Sequence, residues 1–492
     1  MPAPSQSPAP SSSGSSAATN PSPARSTAAR PGPVTAPPVT APPQTAQQTA
    51  PEGTEAPRNL TERAPRTLGL LDQLGFWGNL GASLLGFAGA LSILTPFGAE
   101  PLSLPAAVTA IVVGSTLGGV ILGISLVLGA KTGAPAMVLL RGLLGAKASF
   151  VPTVLNIAQC LGWAVFELVV IAAGLQALTG GHLPRWTCVL LAGVVTTALT
   201  IWPLGSIRVL RKYVSVLVVL ALVVLTVGLL ANPVPTIDGS WNGFWLAVDA
   251  AVALTISWVP LGADYSRHSR TSRAAFAGGF LGYGVTQVAC LLLGVVALSQ
   301  VQQNPDQVFD LFLAVPLGTA AFAVLVLRET DQSFANVYST AVSIQNMAPR
   351  WDRRVLTVGI GALAVAAALS IDITQYTNFL YLIGAVFIPL SGALIAAWLR
   401  TRGLGWDTSA DAPLRPGMLG AWAAGFVAYQ LVNPGAIPGW SDAWTSLGTT
   451  LHTLGHPWLS ASLTSFAIAV LVALPFAAIP VGGPTRRDPT PT

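Results

Sequence analysis

Apolar stretches of about 20 residues recur along most of this chain, and they constrain its fold more than any other feature. Each can cross the roughly 30 Å hydrocarbon core of a bilayer as an α-helix, which satisfies its own backbone hydrogen bonds in lipid. Charged residues make up only 9% of the chain, whereas ordinary soluble domains have about 25%. A soluble protein of this length would need more charge on its surface, so the sequence predicts an all-α integral membrane protein.

The apolar runs predict about twelve membrane helices between residues 67 and 482. The predicted spans are 76–97, 105–129, 150–178, 186–204, 213–231, 245–263, 274–300, 317–343, 355–371, 377–399, 417–433 and 461–480. Residues 1–66 consist mainly of Pro, Ala, Ser, Thr and Gln and contain no aromatic residue, which predicts a disordered tail. Residues 483–492 form a second, short tail.

The basic residues support this arrangement. If residues 1–66 lie in the cytoplasm, every Lys and Arg except Arg185 and Arg328 falls in a tail or an inward-facing loop. Outward-facing loops carry acids such as Glu100 and Asp238 instead. This asymmetry follows the positive-inside rule and predicts that both termini are cytoplasmic, in the plasma membrane of a bacterium. The net charge of +5 therefore reflects membrane topology, and we expect no nucleic-acid partner.

The predicted third helix carries Trp163 and Glu167 at membrane depth. A charge at this depth costs at least about 2.5–3.5 kcal/mol on insertion scales and so requires a reason. The i,i+4 spacing directs an indole and a carboxylate into the same space. This pair suits a flat polar heterocycle, because the indole can stack on the ring while the carboxylate accepts from N–H groups. Ordinary packing within the bundle explains the pair equally well.

The predicted eighth helix places Arg328, Glu329, Thr330 and Asp331 near mid-depth. One interpretation is a structural ion pair between Arg328 and Asp331 at i,i+3. The interpretation that we favour places Thr330 and Asp331 at a cation or proton site, because an apolar pair would build the bundle at lower cost.

Two predicted helices contain interruptions. In the sixth, the segment Thr255–Gly262 places Pro260 and a glycine inside an apolar span, which frees backbone groups. In the first, the segment Gly81–Gly89 is rich in small residues. Broken helices at corresponding positions of two repeats predict a substrate site at the membrane midplane.

Four segments, in order, resemble the purine–cytosine permease family, also called nucleobase:cation symporter-1. They are Gly129–Gly142 (GAKTGAPAMVLLRG), Gly162-Trp163 with Glu167, Ala263–Arg267 (ADYSR), and Ala335–Ser339 followed by Ser343–Asn346. The similarity runs from about Leu70 to Leu399. Its GW…E pattern is most similar to cytosine and hydroxymethylpyrimidine permeases.

The resemblance implies a leucine-transporter-like fold with ten core helices in two inverted repeats, at about 70–231 and 240–399. Two extra helices would follow at about 417–480. It also implies import of a nucleobase or a related ring coupled to Na⁺ or H⁺, without a cofactor. We expect the bilayer and this small molecule as partners, and a monomer or weak oligomer.

The resemblance also implies roles for individual residues. The implied substrate-binding residues are Trp163, Glu167, Thr255, Ser257, Trp258 and Asn336. Trp163 would stack on the ring, and Glu167 and Asn336 would bond opposite edges of it. The implied cation-binding residues are Ser83, Gly86, Thr330 and Asp331, with Na⁺ as the only metal considered.

Two departures from the family pattern affect the expected substrate and ion. Glu167 stands where hydantoin-type relatives often have Gln. Because an ionised carboxylate only accepts hydrogen bonds, Glu167 favours an amino-bearing ring such as cytosine, adenine or an aminopyrimidine. Asp331 stands where relatives commonly have a neutral hydroxyl, which leaves the coupling ion open. Thr255 stands where several relatives have an aromatic residue, so the second stacking partner is either absent or supplied by Trp258.

Two other functions remain open at this stage. The same fold could carry another small polar solute, such as a hydantoin, allantoin or an amino acid. An integral-membrane enzyme is the remote alternative, because the four histidines lie in or near loops and share no helical face. The isolated Cys160, Cys188 and Cys290 predict buried free thiols.

Overall fold

The computed structural model describes residues 55–60, 62, 64–96, 100–209, 213–370, 376–402, 406–454, 456 and 458–477. Within these residues the chain forms nineteen α-helices. The helices are α1 Leu70–Gly81, α2 Leu85–Leu94, α3 Leu104–Thr132, α4 Ala136–Leu144, α5 Phe150–Leu178, α6 Arg185–Ile201, α7 Pro203–Val209, α8 Ser215–Leu230, α9 Phe244–Ile256, α10 Val259–Ser266, α11 Ser272–Ala277, α12 Gly284–Gln300, α13 Val308–Ala314, α14 Gly318–Met347, α15 Arg353–Ala368, α16 Tyr376–Thr401, α17 Pro416–Val432, α18 Trp440–Thr450 and α19 Ala461–Ala477. A π-helical turn, Gly278–Tyr283, joins α11 to α12.

A helix, or a group of helices joined at breaks, lies at each predicted span. By length and apolar composition, five helices in the described part of the chain could cross a membrane, or six if the bent pair α6–α7 counts as one span. The bend between α6 and α7 measures 106°. The short helices α4, α13 and α18 occupy segments predicted as loops.

Both predicted helix interruptions are confirmed. The first predicted span divides into α1 and α2 around Ser83, and the sixth divides into α9 and α10 at Ser257 and Trp258. In the sixth helix, Pro260 has no N–H to continue the hydrogen-bond ladder across the break. The Ser257 hydroxyl donates to the Leu254 carbonyl at 2.7 Å, which satisfies one of the freed acceptors.

The packing separates an interior bundle from an apolar outer surface. α14 packs along α5, α3 packs against α9 and α10, and α19 packs against α16 and α17. Large aliphatic side chains on the outer helices are exposed, including Val194 at 69%, Val227 at 65% and Val355 at 73%. An apolar surface of this kind is what lipid acyl chains contact.

The folded part of the chain begins earlier than the predicted boundary at residue 66. The Glu55 carboxylate accepts from the N–H groups of Leu204 at 2.7 Å and Gly205 at 2.9 Å, at the start of α7, where free N–H groups favour an anion. The Arg58 carbonyl accepts from the Arg353 N–H at 2.9 Å. The remaining predicted tail residues, 1–54, 61 and 63, and the predicted tail 483–492 lie outside the described residues.

Candidate functional site

A cavity of about 430 Å³ lies between the two helix breaks. It is lined by Gly81, Ser83, Leu85, Gly86, Trp163, Glu167, Leu254, Ser257, Trp258, Tyr283, Gln287, Cys290, Leu291, Gln332 and Tyr376. The wall thus combines backbone from both breaks with side chains from α5, α12, α14 and α16.

The structure brings most of the predicted substrate residues into this cavity. Trp163, Glu167, Ser257 and Trp258 all line it. The two predicted cation residues of the first break, Ser83 and Gly86, also line it. Their functional roles stay predictions, but their shared location is observed.

Trp163 and Glu167 present unused hydrogen-bonding atoms within the described structure. The Trp163 ring packs edge-on against Tyr376 at 5.8 Å and against Phe379 at 5.2 Å between centroids. Trp163 Nε1 and Glu167 Oε2 are buried, and neither has a hydrogen-bond partner among the described residues. Because buried polar atoms normally find partners, an open donor and an open acceptor in one cavity wall indicate a polar ligand.

Trp258 supplies a second, fixed aromatic surface. Its Nε1 donates to the Tyr283 hydroxyl at 3.0 Å, and that hydroxyl donates to the Leu254 carbonyl at 3.3 Å. The chain of bonds ties the indole to the backbone just before the break in α9–α10. The orientation of Trp258 is therefore set by protein contacts, whereas the Trp163 N–H is left for a ligand.

Two predicted substrate residues do not reach the cavity wall. Thr255 is fully buried and its hydroxyl donates to Gln287 Oε1 at 3.0 Å, so it lies behind Gln287. Asn336 donates to the Gln332 carbonyl at 3.1 Å within α14, one turn beyond the cavity. Gln332 takes the lining position that was expected for Asn336, because the helix presents that turn to the break in α1–α2.

The predicted cation residues of α14 have protein partners. The Thr330 hydroxyl donates to the Leu327 carbonyl at 2.7 Å. Asp331 Oδ2 lies 3.5 Å from Asn79 Nδ2 of α1, and both side chains are buried. The residues that reach the helix break are instead Glu329 and Gln332, with Ser83 Oγ at 2.7 Å from Glu329 Oε1 and 3.1 Å from Gln332 Oε1.

The buried ion pair of α14 differs from the Arg328–Asp331 pair of the structural interpretation. Arg328 Nη1 lies 2.6 Å from Glu329 Oε2, and both side chains are fully buried. Within the described residues, Arg328 is thus paired with its neighbour Glu329 and not with Asp331 at i,i+3, the partner in the structural interpretation. The carboxyl group of Glu167 interacts with that of Glu329, which joins this pair to the cavity wall.

Several lining residues were missed from the sequence. They are Tyr283, Gln287, Cys290, Gln332 and Tyr376. Gln332 had a local signal, since it lies four residues before Asn336 on one face of a helix. Gln287 is an amide inside an apolar run, which is also a usable signal. No comparable sequence signal marks Tyr283, Cys290 and Tyr376, because their side chains are compatible with ordinary core packing.

Three of the segments that carry the family resemblance contact one another outside the cavity. Asp264 Oδ1 accepts from the Ala136 N–H at 2.9 Å, at the start of α4. The Tyr265 hydroxyl donates to the Ala335 carbonyl at 2.6 Å. Three of the four segments thus make contacts between helices. Of the four, the Trp163–Glu167 segment alone lines the cavity.

A polar cavity enclosed by two broken helices inside an apolar helical bundle defines a multi-pass membrane transporter. A family model described as permease for cytosine/purines, uracil, thiamine, allantoin matches residues 73–410. The chain belongs to this permease family. The family members and the structural neighbours are transporters and not enzymes.

Named relatives agree with this assignment. The vitamin B6 transporter TPN1 of Saccharomyces cerevisiae is 24% identical over 364 residues, which cover 66% of this chain and 61% of TPN1. The match thus spans less than two thirds of that relative.

Two solved transporters show the fold. The nucleobase-cation-symport-1 family transporter Mhp1, closed with bromovinylhydantoin bound, is 16% identical, with 86% of this chain and 94% of Mhp1 covered and a TM-score of 0.68. A Na⁺-coupled sialic acid symporter is 12% identical, with 84% and 90% covered and a TM-score of 0.53. The chain therefore has the leucine-transporter-like fold.

Proposed function

We propose that this chain is a secondary active transporter that imports a nucleobase or a related heterocycle by cation-coupled alternating access. The observation that carries the proposal is the cavity wall at Trp163 and Glu167, where an aromatic face stands beside an open donor and an open acceptor. A flat ring with polar edges matches this wall, because it can stack on indole and bond at its rim.

The preferred substrate is an amino-bearing ring such as cytosine, adenine or an aminopyrimidine. The open Glu167 Oε2 accepts hydrogen bonds, so a ring edge with N–H groups is favoured over one with carbonyl groups alone. When the ring stacks on Trp258, Trp163 Nε1 donates in the plane of its own indole to an acceptor atom at the edge of that ring. In this arrangement Gln332 bonds the ring edge that was expected to bond Asn336. Thr255 does not contact the ring and instead fixes the orientation of the Gln287 amide.

A second candidate is a hydroxymethyl-substituted pyridine of the vitamin B6 type. It is favoured by the similarity to the vitamin B6 transporter of yeast. A hydantoin is the third candidate, by similarity to Mhp1, whose structure contains bromovinylhydantoin. Both rings are flat and polar, so they differ from cytosine chiefly in the donors they offer to Glu167.

The proposed architecture has about twelve membrane helices. Ten form two inverted repeats of five, with the paired breaks α1–α2 and α9–α10 in corresponding places, and α17 and α19 are the two extra helices. The transporter acts in the plasma membrane of a bacterium with both termini in the cytoplasm, as a monomer or weak oligomer, without nucleic acid or cofactor. Na⁺ or H⁺ drives import through the region of Ser83, Gly86, Thr330 and Asp331.

Binding of a panel of compounds to the purified full-length chain tests the substrate. The panel contains cytosine, adenine, hydroxymethylpyrimidine, pyridoxine, hydantoin, allantoin and leucine, and the readout is the thermal midpoint in detergent. We expect an amino-bearing ring to raise the midpoint most. Stabilisation by leucine and by none of the rings would contradict the proposal.

Uptake into proteoliposomes tests the mechanism. The ring selected by the panel should accumulate only with an inward cation gradient. Glu167→Ala should abolish accumulation at normal expression, and Glu167→Gln should shift preference from amino-bearing toward carbonyl-bearing rings. Glu100→Gln, at an exposed position, is the matched control and should transport normally.

A further inference from the structure

A buried ion pair of α14 lies directly against the break between α1 and α2. Arg328 and Glu329 are in contact at 2.6 Å and both are fully buried. A buried pair with no function is usually no more stable than an apolar pair, so its position calls for a physical explanation.

Glu329 binds the groups that the break exposes. Its Oε1 accepts from Ser83 Oγ at 2.7 Å, and its Oε2 accepts from the Leu84 N–H at 3.1 Å. The Gln332 amide donates to the Leu80 carbonyl on the other side of the break. Side chains of α14 therefore satisfy donors and acceptors that a broken helix would otherwise offer to an ion or to water.

The oxygen atoms of Ser83 and Leu80 at the break make protein hydrogen bonds. Ser83 Oγ contacts Glu329 and Gln332, and Thr330 Oγ1 donates to the Leu327 carbonyl. Ser83 Oγ also accepts from the Leu85 N–H at 3.0 Å, the Ser83 carbonyl accepts from the Gly86 N–H at 3.0 Å, and the Leu80 carbonyl accepts from Gln332. The Ser83 and Leu80 oxygen atoms at the break are therefore already used within the protein, which leaves few oxygen ligands there for Na⁺.

Arg328 also supplies positive charge where a cation would otherwise sit. Its charge acts on Glu329 at contact distance and on Glu167 and Asp331 in the same buried cluster. In a low-dielectric interior a second cation at the break would be repelled by the guanidinium. Within the described structure, Arg328 Nε and Nη2 have no hydrogen-bond partner, so Glu329 is the group that the guanidinium contacts directly.

We propose that Arg328 is a fixed internal cation that, through Glu329, joins α14 to the break in α1–α2 and replaces a bound Na⁺. Na⁺ is then needed neither to stabilise the closed break nor to bind substrate. The part of this inference that concerns uptake rests on the proposed function, whereas the part that concerns ion binding does not.

Thermal midpoints of the purified full-length chain in NaCl, KCl and choline chloride, each at about 0.15 M, test ion binding. The wild type should give the same midpoint in all three salts. Arg328→Met should unfold earlier in KCl and choline and recover by a few degrees specifically in NaCl, because Glu329 is left without a counter-charge. A Na⁺-specific rise in the wild type overturns the inference.

Two matched variants keep the test decisive. Arg328→Lys retains the charge and should be as insensitive to Na⁺ as the wild type. The double change Arg328→Met with Glu329→Gln removes both charges and should fold without a Na⁺ response. A folded Arg328→Met protein that responds to Na⁺ no more than the double variant contradicts the inference. If Arg328→Met alone does not fold, the inference is tested by the Na⁺ dependence of the wild-type and Arg328→Lys midpoints.

Uptake separates this inference from the proposed function. Under the same inward H⁺ gradient, the selected ring should enter proteoliposomes at equal rates with Na⁺ or choline outside, and a requirement for Na⁺ in the wild type overturns the inference. If no heterocycle is bound or taken up, the proposed function fails, while the salt dependence of the midpoints still tests the role of Arg328.

Discussion

Arg141 donates two hydrogen bonds to Asn346, and these bonds connect α4 to the end of α14. Arg141 Nε lies 2.7 Å from Asn346 Oδ1, and Nη2 lies 2.7 Å from the Asn346 carbonyl. The Asn346 amide in turn donates to Thr153 Oγ1 of α5 at 2.9 Å. The first and the last of the four resembling segments, whose residues Arg141 and Asn346 are 205 positions apart, thus contact each other.

Replacing Arg141 with Ala should destabilise the protein, because Asn346 would lose a charged, two-pronged donor. We expect a loss of about 2–3 kcal/mol in the free energy of unfolding, seen as a lower thermal midpoint in detergent. Arg141→Lys should recover only part of it, because an ammonium group cannot reproduce the planar geometry. Arg350→Ala, at an exposed position, is the control, and an equal loss there would show that the Arg141 contact is unimportant.

Trp163→Phe should keep the aromatic face and remove the open N–H donor of the cavity. The expected result is uptake reduced about tenfold at low substrate, the equivalent of one hydrogen bond, with a larger loss for Trp163→Ala. Initial rates in proteoliposomes measure the difference. Trp186, which is 58% exposed, provides the control, and Trp186→Phe should transport normally. Equal uptake rates for wild type and Trp163→Phe would show that the Trp163 N–H does not bond the substrate.

Cys290 should report directly on occupation of the cavity. It lines the wall, whereas Cys160 and Cys188 do not. N-ethylmaleimide should therefore modify Cys290 during turnover and block uptake, and saturating substrate should slow the modification. Peptide mass spectrometry identifies the labelled thiol, and Cys290→Ser should retain uptake after treatment. Labelling of Cys290 at an unchanged rate with substrate bound would place the substrate elsewhere.

The sequence predicts the features of the fold that depend on local properties. Hydropathy locates the helices, with α5 matching its predicted bounds of 150–178, because membrane insertion acts on each segment. Pro260 predicts the break in α9–α10 because its missing N–H acts locally. The i,i+4 spacing of Trp163 and Glu167 places both in the cavity because one helix fixes their relation. The three cysteines are buried and free, as predicted.

The remaining features depend on contacts between distant segments. Asn336 and Gln332 are both buried on α14, so burial and polarity alone do not reveal which of them faces the cavity. Glu329 meets Ser83 across 246 positions, which no local pattern specifies. The contacts of Glu55 likewise depend on where α7 begins, so a polar segment rich in proline was expected to be free.

Acidification should weaken the attachment of the N-terminal segment through His268. His268 Nδ1 lies 2.9 Å from the Pro65 carbonyl, and the Leu68 N–H donates to the His268 carbonyl at 2.9 Å. Burial, assisted by the charge of Arg267, lowers the pKa of His268 from 6.5 to about 3. The neutral ring is favoured in the folded state, so its contribution is fully present above pH 6.5 and is lost as the pH falls toward 3.

The stability of the wild type should therefore fall by about 1.4 kcal/mol per pH unit below pH 6.5 relative to a variant without this group. Thermal midpoints of the wild type and His268→Gln between pH 7.5 and 5 measure the difference. His182→Gln, at an exposed position, should follow the wild type. Parallel curves for wild type and His268→Gln would contradict the role of His268.

Asp249 is an acid in a membrane helix whose contacts explain it without transport. Its Oδ1 accepts from Ser460 Oγ at 2.5 Å and the Ser462 N–H at 3.1 Å, and its Oδ2 accepts from the Ala461 N–H at 2.9 Å. The carboxylate thus caps the N-terminus of α19, where an anion is stabilised by free N–H groups.

Replacing Asp249 with Ala should cost about 1–2 kcal/mol of stability, typical of a lost helix cap, and leave the apparent affinity for substrate unchanged. Asp249→Asn should cost less, because an amide oxygen can still accept part of the bonds. Midpoints in detergent give the stability, and substrate titration of uptake gives the affinity. Glu167→Ala should show the opposite pattern: uptake is lost, and the thermal midpoint stays the same. A change in substrate affinity in Asp249→Ala at a normal midpoint would instead connect Asp249 to the cavity, which α9 helps to line through Leu254.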